Sequence, residues 1–178
     1  MGLGNPGREY QATRHNVGFL VADLLAGRAK ASWRVRGDRA EALAGDLLLV
    51  KPLAFMNLSG PPVREALGYR GASPTDCLVV CDDMALPLET IRLRARGSSG
   101  GHHGLDSIIA ALGTSEFPRL RVGIGPAPPG VDGAAHVLGR FRPGEIPDLE
   151  RAAEAAEAWA ARGIGFAMTA YNAPRQRG

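Results

Sequence analysis

Three glycines within the first seven residues, Gly2, Gly4 and Gly7, surround the step Asn5-Pro6, and this stretch limits the fold more than any other. Glycine accepts backbone conformations closed to other residues, so the segment reads as a tight turn that a ligand can approach closely. Arg14-His15-Asn16 follows. Beyond it Val17, Leu20, Val21, Leu24 and Leu25 recur at i, i+3, i+4, i+7 and i+8, one face of a helix with Asn16 in the N-cap position. An asparagine in a strained turn and a histidine at a helix start are thus expected near each other on rigid elements, a mounting suited to reactive groups. A histidine at a helix start serves equally as a cap or a surface group, and the residues alone leave both open. The glycine spacing does not make a dinucleotide site. Such a site requires an acidic residue about 20 positions on, at a strand end, whereas Asp23 falls on the polar side of the helical pattern.

At 178 residues the chain fits one domain, 1–178, with a single core. Short runs at 33–36, 39–44 and 47–50 are separated by Gly37-Asp38 and Gly45-Asp46, which predicts an antiparallel meander. A helix is predicted near 61–69, with Ser59 as its cap and Pro61 or Pro62 in its first turn. The apolar run 78–81 reads as a strand buried on both faces that surfaces at Asp82-Asp83. Residues 90–96 and 119–124 alternate apolar side chains with arginines, as half-buried strands with a basic face do. Between them lie a glycine-rich loop, 97–104, expected to be a mobile loop or lid, and a helix carrying Leu105, Ile108, Ile109 and Leu112. Residues 126–133 read as a mobile loop, 149–162 as a terminal helix and 173–178 as a tail. Strands and helices interleave without an internal repeat, so the expected fold is a mixed, twisted α/β sheet flanked by helices.

The formal net charge of +3 permits a nucleic-acid partner without requiring one. Two cysteines, Cys77 and Cys81, are too few for a disulfide scaffold, lack zinc-site spacing, and read as buried packing thiols. No signal peptide or bilayer-length apolar run is seen, so a cytoplasmic location and no membrane partner are expected. Neither a metal nor a cofactor is expected: His102 and His103 are adjacent and point apart, no third ligand is evident, and His136 reads as incidental.

The first nineteen residues resemble the signature G-L-G-N-P-G-x-x-Y-x-x-T-R-H-N-x-G-F of bacterial-type peptidyl-tRNA hydrolase. Residues 51–60 are similar to that family's K-P-x-x-F-M-N-x-S-G, and 82–87 to its D-(D/E)-x-x-L-P. Residues 92–105 resemble R-x-R-x-x-G-x-x-x-G-H-N-G-L, and 117–125 resemble F-x-R-L-R-x-G-I-G. These stretches occur in the family's order along nearly the whole chain. The resemblance implies hydrolysis of the ester joining a peptide to the 3′ ribose of tRNA, which recycles prematurely released peptidyl-tRNA. Such a reaction needs a positioned water, a base and donors to the oxyanion.

On the resemblance His15 is the base and Asp82 the carboxylate that fixes its tautomer. Asn5 and Asn57 are neutral amides that donate to a carbonyl or anchor the peptide, and Tyr10 lines the same cleft. Arg94 and Arg121 are phosphate contacts that hold the tRNA acceptor end without reading bases. A monomer acting on peptidyl-tRNA is implied. From the residues alone Asp82 is as well a turn residue or cap, Asp83 competes with it, and Asn57 suits an Asx-turn. Arg92, Arg94, Arg119 and Arg121 read either as one basic surface or as a solvated strand face. The chain departs from the family pattern twice. His103 stands where the family has the asparagine of G-H-N-G, which places it among the substrate-binding residues beside His15. Met1 stands where the family has the last residue of an apolar strand, so such a strand is expected upstream. The rival readings are a catalytically silent RNA-binding relative and a general ester hydrolase. The latter lacks a nucleophile elbow.

Overall fold

The first three residues run between two sheets in the computed structural model, which describes residues 1–145 and 147–173. They lead through the glycine turn into α1 (Val17–Arg28). Next come β1 (Arg34–Arg36), β2 (Arg39–Ala44) and β3 (Leu47–Pro52), paired antiparallel in that order as the meander predicts. Gly37 and Gly45 open their two-residue turns at φ of +56° and +60°, the glycine-first geometry of a type II′ hairpin. Helix α2 (Gly60–Arg70) begins with proline in its first turn and stops at left-handed Gly71. Ser59 stands at the cap position without capping; its hydroxyl donates to Met56 O at 2.9 Å instead.

The second half carries β4 (Val79–Asp83), β5 (Ile91–Arg94), α3 (His103–Leu112) and β6 (Arg119–Gly123), then α4 (Gly133–Leu138) and α5 (Leu149–Tyr171). Strand β6 is central, parallel to β4 and antiparallel to β5. The expected mixed sheet is therefore divided into two three-stranded sheets, and the first residues join them. Gly2 N–H donates to Val50 O on β3, while Leu3 N–H donates to Val80 O on β4, both at 2.9 Å.

Glycine is required at this seam. A Cβ on Gly18 would lie 2.4 Å from both Leu3 N and Val80 O, and one on Gly2 would lie 2.2 Å from Gly18 O. The close approach at Gly2 and Gly4 thus seats the chain start against α1. Of the three early glycines, only Gly7 has positive φ.

Strand β4 organises the core by alternation. Leu78 and Val80 join Val17, Val21, Leu120, Val122 and the alanine face of α5, while Val79 and Cys81 join Leu3, Val63, Leu105 and Phe117 on the other side. The sheet is thus covered on both faces, which is why the run 78–81 is apolar throughout. Both cysteines are unpaired and buried, and burial raises their thiols above the usual range, as packing thiols require. Helix α5 outruns the predicted 149–162 by breaking at Gly163 (φ 79°, ψ 171°) and resuming. Beyond Ala173 the expected tail lies outside the described residues. Among the described residues no helix is long and apolar enough to cross a membrane.

Candidate active site

His15 sits in a buried 3₁₀ turn, Arg14–Asn16, immediately before α1. Asn16 occupies the cap position of α1, but its side chain does other work. Its Oδ1 accepts from Asn5 N–H and its Nδ2 donates to Asn5 O, each at 2.9 Å. Asn16 therefore locks the Asn5 turn to the His15 turn. Asn5 in turn accepts Met56 N–H through Oδ1 at 2.8 Å, which fixes the 3₁₀ turn Met56–Leu58 that carries Asn57.

Asp82, near the C-terminal end of β4 and 4% exposed, meets His15 Nδ1 at 2.8 Å and His102 Nε2 at 2.9 Å, both on Oδ1. Burial alone would raise its carboxyl, but the hydrogen bonds from His102 and His15 outweigh it and hold the group well below the usual carboxylate range. An ionised carboxylate only accepts, so both facing nitrogens carry protons. His15 lines the cleft, and its remaining basic position is the lone pair on Nε2. Asp83, the competing carboxylate, also lines the cleft but bonds to neither histidine. It accepts from Ala85 N–H at 2.8 Å and Arg121 at 3.1 Å.

His102 is the residue that sequence reasoning missed. It is the N-cap of α3, its Nδ1 accepting from Gly104 N–H at 3.1 Å and Leu105 N–H at 3.3 Å. The signal was a histidine placed between a glycine-rich loop and a helical pattern. His103 is not beside His15, contrary to expectation. As the first helical residue it turns outward, its side chain 80% exposed and 3.9 Å from Asp106, while the His102 ring lies 5.0 Å from that of His15. The view that no third ligand accompanies these histidines also needs correction. Ligand atoms of His15, Asp82 and His102 lie within 4.8 Å of one another. The ring nitrogens facing Asp82 carry protons, however, and His102 Nδ1 is occupied by the helix, so His15 Nε2 is the one ring nitrogen of the pair left with an open lone pair.

The three groups open into a cleft of about 930 Å³ lined also by Asn5, Tyr10, Phe55, Asn57, His103 and Arg121. Tyr10 meets Phe55 edge-on, centroids 6.4 Å apart. Asn57 is exposed, and its carboxamide bonds to no protein group among the described residues. It is therefore not the Asx-turn its sequence allowed.

Register sets Arg92 opposite Arg121 and Arg94 opposite Arg119, so the four arginines share a face as alternation predicts. They do not form one basic surface. Arg119 is fully buried, stacked 4.3 Å over Phe117, and donates to the carbonyls of Gly97, Ser98, Ser115 and Phe117. Arg121, 19% exposed, donates to Ser98 O at 3.0 Å and Ser99 O at 3.3 Å. The loop expected to be a lid is held down by these two side chains, while Arg92 and Arg94 remain exposed. His136 is not incidental either. It is buried and donates through Nε2 to Gly125 O at 3.1 Å, and Arg14 pins the same segment through His136 O and Glu145.

A family model described as peptidyl-tRNA hydrolase matches residues 1–178. The peptidyl-tRNA hydrolase of Desulfitobacterium hafniense is 46% identical over 179 residues, covering 96% of this chain and 97% of its own. That of Syntrophomonas wolfei is 47% identical over 184 residues, covering 97% and 98%. Among solved structures, peptidyl-tRNA hydrolase from Acinetobacter baumannii superposes with a TM-score of 0.86 at 30% identity, covering 97% of this chain and 92% of that one. A peptidyl-tRNA hydrolase in complex with N-propanol gives 0.88 at 29% identity, covering 99% and 94%.

Proposed function

The chain belongs to the peptidyl-tRNA hydrolase family, and we propose that it cleaves the ester between peptide and 3′-terminal ribose through the His15–Asp82 pair. The observation that carries this reading is the 2.8 Å contact between His15 Nδ1 and the ionised Asp82, which leaves Nε2 as an acceptor in the cleft. In the proposed step Nε2 takes a proton from water as the water oxygen attacks the ester carbonyl. Asp82 stabilises the imidazolium that forms. The carbonyl oxygen becomes an oxyanion for which the Asn57 carboxamide, on the cleft lining, is the proposed donor, with Asn5 fixing the turn that carries it. Collapse of the intermediate breaks the bond to the ribose oxygen, and the imidazolium returns its proton to that oxygen. Free tRNA and a peptide carboxylate result.

Tyr10 and Phe55 supply an apolar wall for the peptide, and His103 lies at the rim. Arg94, exposed on β5, and Arg121, lining the cleft, are the proposed contacts to acceptor-end phosphate. Arg121 must exchange part of its hold on the 97–101 loop to make that contact. The protein is further proposed to act as a cytoplasmic monomer. The family match and the relatives favour the enzyme over a silent RNA-binding relative. The deciding assay offers the purified chain a peptidyl-tRNA and, separately, a simple peptide ester. Release of free tRNA with little turnover of the simple ester is expected. Binding of peptidyl-tRNA without cleavage would favour the silent relative.

A further inference from the structure

His102 holds the N-terminus of α3 with one ring nitrogen and Asp82 with the other, and the reaction outlined above makes no use of it. Because Nδ1 accepts Gly104 and Leu105 N–H, the proton of the neutral ring must sit on Nε2, aimed at Asp82 Oδ1. The same oxygen takes the proton of His15 Nδ1. A carboxylate oxygen shared by two donors has less negative charge to offer each of them. Its grip on protonated His15 is thereby weakened.

We propose that His102 is a positioning residue: by donating to Asp82 it sets how strongly that carboxylate holds the protonated form of His15, and it ties that strength to the seating of α3. The proposal rests on the reading of His15 as base. The other charged groups around the pair do not compete for the shared oxygen. Asp83 and Arg121 are paired with each other at 3.1 Å, and His103 faces Asp106 at the surface at 3.9 Å. Tyr10 lines the cleft from the glycine turn. Among the described residues, His15 and His102 are the two side chains bonded to Asp82.

His102→Asn separates the two roles. Asparagine is a preferred N-cap and accepts from the second and third helical N–H groups, here those of Gly104 and Leu105, but it is too short to reach Asp82. Freed of its second donor, Asp82 should hold the His15 proton more tightly. The acid limb of the kcat/KM profile for peptidyl-tRNA is expected to move to higher pH by about 0.5–1 unit, with the melting temperature close to wild type. His102→Ala should show the same displacement together with a lower melting temperature. An unmoved acid limb in His102→Asn would overturn the proposal. So would ¹⁵N imidazole spectra of the wild-type protein showing His102 protonated on Nδ1 rather than Nε2, a test that needs no variant to fold. Failure of the base reading would show itself separately, as normal turnover in His15→Ala.

Discussion

Asp82 is ionised in the interior because two imidazole N–H groups outweigh the cost of burying it. Its folded-state pKa lies below the unfolded value, so it contributes stability that is present above about pH 4 and lost as pH falls further. Asp82→Asn removes that contribution. The stability gap between wild type and variant should therefore narrow in melts taken from pH 5 down toward pH 2, and a constant gap would contradict the assignment. The same variant offers His15 an amide that donates where the carboxylate accepted, which favours the wrong tautomer. Turnover should fall by roughly 10–10³, with the acid limb moved to lower pH. His103 is the contrasting case. With its side chain 80% exposed, His103→Asn should leave the pH profile of turnover unchanged, and a displaced acid limb would return it to the neighbourhood of His15. The residues were legible to different depths. The family resemblance singled out His15 and Asp82, whereas the residues alone left Asp83 in competition; in the structure Asp82 bonds to His15 and Asp83 to Arg121. His102 escaped notice because its meaning depends on Asp82, which lies 20 residues away along the chain.

At the scale of elements, local patterns and the burial of the run 78–81 were read well, while the burial of the arginine face was not. The Gly-Asp turns gave the meander, and alternation gave the direction of every arginine on β5 and β6. Alternation cannot say what lies above a face, and the 97–104 loop covers Arg119. A buried guanidinium that satisfies four carbonyls is structural. Arg119→Ala should cost about 2–4 kcal/mol in denaturant unfolding, because those carbonyls lose charged donors and a cavity opens beneath the loop. Arg94→Ala, at an exposed position, should change stability by no more than about 0.5 kcal/mol. Its effect should appear in binding, as a higher KM and a salt dependence shallower by about one phosphate contact. If Arg94→Ala left the salt slope unchanged, that phosphate contact would be wrong. Equal stability of wild type and Arg119→Ala would remove the structural role.

In the whole molecule the site is assembled from segments distant in sequence. The His15 turn is tied to the Asn5 turn by Asn16, to β4 by Asp82, and to the segment after β6 by Arg14. The fold class was readable because strands and helices announce themselves locally. The division into two sheets joined by the first residues was not readable, because it depends on single hydrogen bonds from Gly2 and Leu3 to different strands. All these ties converge on one claim, that His15 removes the proton from the attacking water. Single-turnover cleavage of peptidyl-tRNA by wild type and His15→Ala, with binding to uncharged tRNA measured alongside, tests it most directly. The account predicts a loss of roughly 10²–10⁴ in the cleavage rate with tRNA affinity nearly intact. Cleavage within a few-fold of wild type in the folded variant would contradict it.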